Sequence, residues 1–192
     1  MTLLKQTILI VILSCCAYAS WAEESFYIGA AIGKGDLDVD SSSFPNETFV
    51  TDDISSDMFV SEISGGYRFD NNWTLDLGLE TYASFDIIAL GLGDVVSLQA
   101  IRVGGGYHFP SEGRLSAFVK GGVSFWDLEF EEGILFNPGP EEEASRNGND
   151  LYVQIGAEVR IVGGFISRLT WDVADNDFGD SSAVKLWFGG RF

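Results

Sequence analysis

The stretch that decides the fold is Ala183-Val184-Lys185-Leu186-Trp187-Phe188-Gly189-Gly190-Arg191-Phe192. Read from its carboxyl end, every second residue is Phe192, Gly190, Phe188, Leu186 and Val184, and the interleaved set is Arg191, Gly189, Trp187, Lys185 and Ala183. A period of two sends these sets to opposite faces of one β-strand. One face is apolar and the other carries two cations. That division suits a strand with lipid on its outer side and a polar lumen on its inner side. The competing reading is the last strand of a soluble sandwich, and the rest of the chain decides between them.

Outward from that strand, the composition points the same way. The 192 residues are 46% hydrophobic and 14% aromatic, with 23 Gly and only four Pro. A chain of this length forms one domain, and plentiful Gly with aromatics in alternating segments is a barrel cue rather than a helical one. The formal net charge of −18 argues against nucleic acid as a partner, because phosphate binding needs a basic face.

The first 22 residues read as a cleaved secretory signal peptide. Lys5 supplies a positive start, Thr7 to Leu13 an apolar run, and Ser20-Trp21-Ala22 a small-x-small cleavage site before Glu23-Glu24. Ala17-Tyr18-Ala19 is an alternative site three residues earlier. The apolar run is too short to span a bilayer as a helix. Both cysteines, Cys15 and Cys16, fall within this segment, so the mature chain, 23–192, is expected to hold no thiol and no disulfide. Acylation of either cysteine would make a lipoprotein, but the residues before them fit such a site poorly.

Eight segments of the mature chain alternate, each near the roughly 9–11 residues of a tilted membrane strand. They run Phe26–Lys34, Phe59–Phe69, Trp73–Phe85, Ser97–Phe109, Leu115–Phe125, Leu151–Ile161, Phe165–Val173 and Ala183–Phe192. One parity is apolar throughout, as in Trp73/Leu75/Leu77/Leu79 or Leu151/Val153/Ile155/Ala157/Val159/Ile161. The other parity gathers Glu62, Arg68, Asp76, Glu80, Arg102, Lys120, Glu158, Arg160, Arg168, Asp172, Lys185 and Arg191, with seven of the chain's eleven Lys and Arg residues among them. A cation on the lipid face costs about 2–4 kcal/mol near the midplane, so inverting the faces would cost on the order of 10 kcal/mol. The charged parity is therefore expected to line the lumen as a paired network, since buried charges need partners.

Connections alternate in length. Asp70-Asn71-Asn72, Pro110 to Arg114, and Gly163-Gly164 are short and rich in turn formers. Gly35–Met58 and Trp126–Asp150 are long and polar, Ala174–Ser182 is shorter, and Asp86–Val96 is unusual in carrying Ile87, Ile88, Leu90 and Leu92. Short periplasmic turns and long extracellular loops have this signature. Outward aromatics fall near both strand ends. Tyr67, Phe69, Trp73, Tyr107, Phe109, Phe165 and Phe192 mark the turn side, and Phe59, Phe85, Phe125 and Trp171 the loop side, as expected for two interfacial belts.

With its leader, eight alternating segments and terminal Phe192, the chain resembles the small bacterial outer-membrane β-barrels of the OmpA/OmpX type. Gly104-Gly105-Gly106-Tyr107-His108-Phe109 before a tight turn is similar to strand ends of that superfamily. The resemblance covers nearly all of 23–192 and implies an eight-stranded antiparallel up-and-down transmembrane β-barrel in the outer membrane. It further implies that Phe192, Phe188 and Leu186 form an assembly signal read by the barrel-assembly machinery. Outer-membrane lipid and lipopolysaccharide would be its surroundings, and a monomer its state. No appended peptidoglycan-binding domain is expected.

Activity is less legible, because one fold carries several functions. His108 is the only histidine. Some barrels of this size modify lipid A with His, Ser and an acid. Here parity turns His108 into the lumen at the turn end, away from the outer leaflet, so no catalytic residue, cofactor or metal ligand is expected. Asp36, Asp38, Asp40 and Glu47 have the 1, 3, 5, 12 spacing of a calcium loop, but Ser41 stands where that loop needs Gly, and the match is read as chance. The acidic loops, with Asp52, Asp53, Asp57, Glu131, Glu132 and Glu141-Glu142-Glu143, read as solvated segments or as sites for divalent-cation bridges to lipopolysaccharide. The apolar second loop either extends its strand pair and buries its leucines or exposes a patch for a protein partner or apolar ligand. The expected role is thus a non-enzymatic envelope protein acting in membrane integrity or surface interaction. The alternatives are a small pore for ions or hydrophobic solutes and, third, a lipid A-modifying hydrolase.

Overall fold

The structure, a computed structural model, describes residues 26–39, 54–84, 95–131 and 143–192. Eight strands follow one another in chain order: β1 (Phe26–Val39), β2 (Ile54–Arg68), β3 (Trp73–Ser84), β4 (Val95–His108), β5 (Leu115–Glu131), β6 (Glu143–Arg160), β7 (Phe165–Asn176) and β8 (Gly179–Arg191). Each pairs antiparallel with its neighbours, and β8 returns to β1 to close an up-and-down barrel. The closing ladder runs from Tyr27 opposite Arg191 to Leu37 opposite Ser181. At its end the amides of Phe26 and Phe192 each donate to the other's carbonyl, at 3.2 and 2.8 Å. Closure leaves no unpaired edge, the condition a strand protein must meet inside hydrocarbon.

The short connections lie together at that end. Asn72 (φ 68°) turns the chain between β2 and β3, and Gly163 and Gly164 (φ 78° and 82°) between β6 and β7, left-handed geometry that Asn and Gly tolerate. Alternation holds along every wall. Ile28, Ile32, Leu75, Leu79, Val103, Leu151, Ile155, Leu169, Leu186 and Phe188 stand exposed on the outside, as lipid-facing side chains should. Edge-to-face contacts link Phe26, Tyr67 and Phe69 into one run, and Trp73, Tyr107 and Phe109 into another. These form the turn-side aromatic belt.

The strands depart from the sequence reading at the other end. Residues 35–39, 54–58, 126–131, 143–150, 174–176 and 179–182, read above as loop, are strand, and only Asp177-Phe178 turns between β7 and β8. The reason is a reversal of polarity at constant period. Above the lipid band the outward residues become Lys34, Asp36, Asp38, Asp57, Gln99, Glu129, Asn147, Asn149 and Asp175. The inward residues become Leu37, Val39, Met58, Val60, Tyr82, Val96, Leu98, Ala100, Trp126, Leu128, Phe178 and Ala183, which pack as one apolar cluster. The wall passes from an inside-out membrane barrel to an ordinary water-soluble one without breaking its ladder.

The leader region, the remainder of the first acidic loop from Asp40 to Asp53, Phe85 and the apolar residues Ile87, Ile88, Leu90 and Leu92, and Glu132 with Glu141-Glu142 lie outside the described residues. Of the calcium-loop spacing, Asp36 and Asp38 belong to β1, in extended chain on the outer face.

Candidate functional site: the charged interior

Below the apolar cluster the interior is polar and is crossed by ion pairs from wall to wall. Glu62 on β2 stands directly opposite Glu80 on β3, an unfavourable juxtaposition unless a cation lies between them. Lys185, fully buried, reaches across from β8 to meet Glu62 at 2.6 Å, Asp172 at 3.1 Å, and Glu80. Arg102 on β4 completes the group, 2.7 Å from Glu80 and 2.5 Å from Asp172. Its Nη2 lies 3.5 Å from the Tyr82 hydroxyl, and its guanidinium lies over the Tyr152 ring.

A second group sits nearer the turns. Lys120 on β5 pairs with Asp76 on β3, which also accepts from the Tyr27 hydroxyl and, at 2.7 Å, from Thr74. In the third, Glu158 on β6 binds Arg168 at 2.9 Å and Arg68 at 3.4 Å. Arg168 is also held against the rings of Tyr27 and Trp187, 4.2 and 4.6 Å from their centroids, where a desolvated guanidinium gains cation–π attraction. Five acids, Glu62, Asp76, Glu80, Glu158 and Asp172, thus meet five bases, Arg68, Arg102, Lys120, Arg168 and Lys185.

Arg160 and Arg191 lie at the turn-end rim. Arg160 is exposed at the turn-end rim and donates to the carbonyls of Ser111 and Gly113. Arg191 is half-buried at the same rim. Parity counted both as inward, but it says nothing of height along the axis.

Small residues make room for the large ones. Gly104 and Gly122 face each other on β4 and β5. A Cβ at Gly122 would lie 2.9 Å from the Tyr152 ring, and one at Gly104 would meet its hydroxyl. The glycine run of β4 is therefore the seat of an inward tyrosine on β6. His108 is fully buried, stacked on Phe118 with ring centroids 5.0 Å apart and its Nδ1 3.9 Å from Glu158. Neither ring nitrogen has a hydrogen-bond partner among the described residues. Ser111 lies beyond it in the turn, and the chain's one histidine contacts the Phe118 ring and the Glu158 carboxylate.

The sequence reading missed the apolar cluster and the turn-end cavity. The signal for the cluster was present, as Leu37/Val39, Met58/Val60 and Trp126/Leu128 at period two, but with the parity that the lipid-face rule assigns to the lumen.

This architecture has known counterparts. Residues 7–192 match the family model described as outer membrane protein beta-barrel domain. Neisserial surface protein A has a similar structure, with a TM-score of 0.66 and 14% identity, over 87% of this chain and 97% of that one. Ail, the attachment invasion locus protein of Yersinia pestis, gives 0.56 at 15% identity, over 88% of this chain and all (100%) of that one. The N-terminal barrel domain of Pseudomonas aeruginosa OprF gives 0.53 at 15%, over 88% and 98%. At such identities the likeness is one of fold. No curated protein matches the chain in sequence.

Proposed function

Since the chain belongs to the outer membrane protein beta-barrel domain family and resides in the outer membrane, we propose that it is a closed, non-enzymatic barrel that works through its extracellular end. The observation that carries this reading is the filled interior. A cluster in which Met58, Val60, Tyr82, Leu128 and Phe178 are all fully buried caps the lumen, and cross-wall ion pairs fill the space beneath it. Eight strands leave room only for side chains, and here those side chains pair with one another. The polar rim above the lipid, where Asp36, Asp38, Glu129, Asp175 and Asp180 face outward, is open to an extracellular partner.

Acidic groups at that level suit divalent-cation bridges to anionic lipopolysaccharide, which would tie the barrel into the envelope, or a cationic face on an extracellular protein. Ail is named for attachment and invasion, and surface interaction by this chain is a proposal of the same kind. Assembly is assigned to the C-terminal strand, with Phe192, Phe188 and Leu186 as the signal and a monomer as the product.

Two measurements on the refolded protein test the reading. In a planar bilayer the folded barrel should be silent, and Glu80→Ala should be silent too. Discrete openings altered by Glu80→Ala would replace it with a gated pore. In bilayers with lipopolysaccharide, Mg²⁺ should bind, and Asp36→Asn/Asp38→Asn/Asp175→Asn/Asp180→Asn should weaken that binding. Binding that ignores the four changes would remove the lipopolysaccharide role.

A further inference from the structure

The turn end of the barrel opens into a cavity of about 680 Å³, lined by Arg68, Asp70, Asn72, Ser116, Arg160 and Arg191. This volume falls in the range of small-molecule sites. Its lining holds the guanidiniums of Arg68, Arg160 and Arg191 and one carboxylate, that of Asp70. Glu158, which binds Arg68 from the interior, is shared with Arg168, so one carboxylate serves two guanidiniums.

The guanidiniums are also held in place. Arg68 is fixed by Glu158 and, at 3.2 Å, by Asn72, while Arg160 is held by the Ser111 and Gly113 carbonyls. A fixed fork of donors binds an oxyanion with little further loss of entropy.

A second observation points to a ligand. Ser116 lines the same cavity and is 6% exposed, yet its hydroxyl has no hydrogen-bond partner among the described residues. Buried polar groups are rarely left so. The hydroxyl is a donor on the wall of a cationic cavity.

We propose that this vestibule binds a small polyanion from the periplasm, the side that short turns face. The ligand carries at least two oxyanion groups, phosphate or carboxylate. Arg68 and Arg160 engage those oxygens, and Ser116 donates the orienting hydrogen bond. Binding here needs no passage through the barrel, so it is compatible with a closed lumen and independent of the extracellular end.

The test is calorimetric titration of the folded protein in zwitterionic micelles with pyrophosphate and, separately, citrate. At least one should bind with a dissociation constant of about 1 mM or tighter. Arg160→Gln, at an exposed rim position that folding should tolerate, should weaken it about tenfold. Ser116→Ala should weaken it several-fold, and Lys34→Gln at the opposite end should leave it unchanged. Preference for pyrophosphate or for citrate identifies the oxyanion. Absence of binding by both probes, or binding that Arg160→Gln and Ser116→Ala leave unaltered, overturns the site. Retained heat-modifiable gel mobility shows that each variant is folded.

Discussion

Lys185 shows what a single residue does in this interior. It touches Glu62, Glu80 and Asp172, and without it Glu80 and Asp172 would share Arg102 alone and Glu62 would lose its ion-pair partner. Removing one member of a buried ion cluster costs about 3–5 kcal/mol, because the remaining charges stay desolvated and unpaired. Lys185→Met should therefore lower the urea midpoint of the micelle-folded protein, followed by tryptophan fluorescence. Lys34→Met, which breaks the exposed pair with Asp57, should leave that midpoint in place, as solvent already screens such pairs. An unchanged midpoint in Lys185→Met would mean the cluster contributes nothing to stability. Asp172 is on the adjacent β7, but the other two partners of Lys185, Glu62 and Glu80, lie beyond the reach of sequence reasoning for a physical reason. Parity places a side chain inside the wall, but β8 is paired with β1 and β7, and β2 and β3 are not its neighbours in the sheet. Which carboxylate a lysine meets there depends on how the whole cylinder is staggered, and no short-range pattern encodes that.

At the scale of the strand, period and polarity are separate signals. The eight elements were legible because outward Leu, Val and Ile alternate with inward charge over a membrane's width, as in Leu151 to Ile161. The upper ends of β1, β2, β5 and β6 were not legible because the solvent outside the wall changes from lipid to water. The apolar set crosses to the other parity there, and a rule tuned to one solvent reads the crossing as a loop. The consequence is a core of the ordinary kind at the loop end. Leu128 is fully buried among Met58, Val60 and Phe178, so Leu128→Ala should lose both transfer energy and packing, about 2–5 kcal/mol. Leu151→Ala, at a position 73% exposed on the lipid face, should cost less, since mobile acyl chains close the gap that a rigid core cannot. Equal costs at the two positions, measured by urea unfolding in the same lipid, would remove the distinction between core and lipid face.

The molecule as a whole carries its own ruler for the membrane. Along β6 the outward residues are apolar from Leu151 to Ile161 and polar at Asn147 and Asn149. Ten residue steps at about 3.4 Å, tilted by about 40°, give a height of roughly 26 Å, matching the apolar band of about 25 Å that spans an outer membrane. The eight residues of β6 before Leu151 then lift the barrel on the order of 20 Å above the lipid on the same geometry. The height of that collar, clear of the headgroups, is what an extracellular function requires. Single arginine substitutions along the outer face of β6 read the ruler directly. Ile155→Arg and Ala157→Arg, on either side of the midplane, should each cost about 2–4 kcal/mol, while Asn147→Arg and Ile161→Arg, at or beyond the interfaces, should cost about 0–1 kcal/mol. The measurement is reversible unfolding in phospholipid vesicles. A cost that peaked at Asn147 would place the bilayer around the collar and leave the acidic rim buried in lipid. A peak at Ile155 and Ala157 fixes the apolar cluster in water, where a packed core is what holds eight strands together.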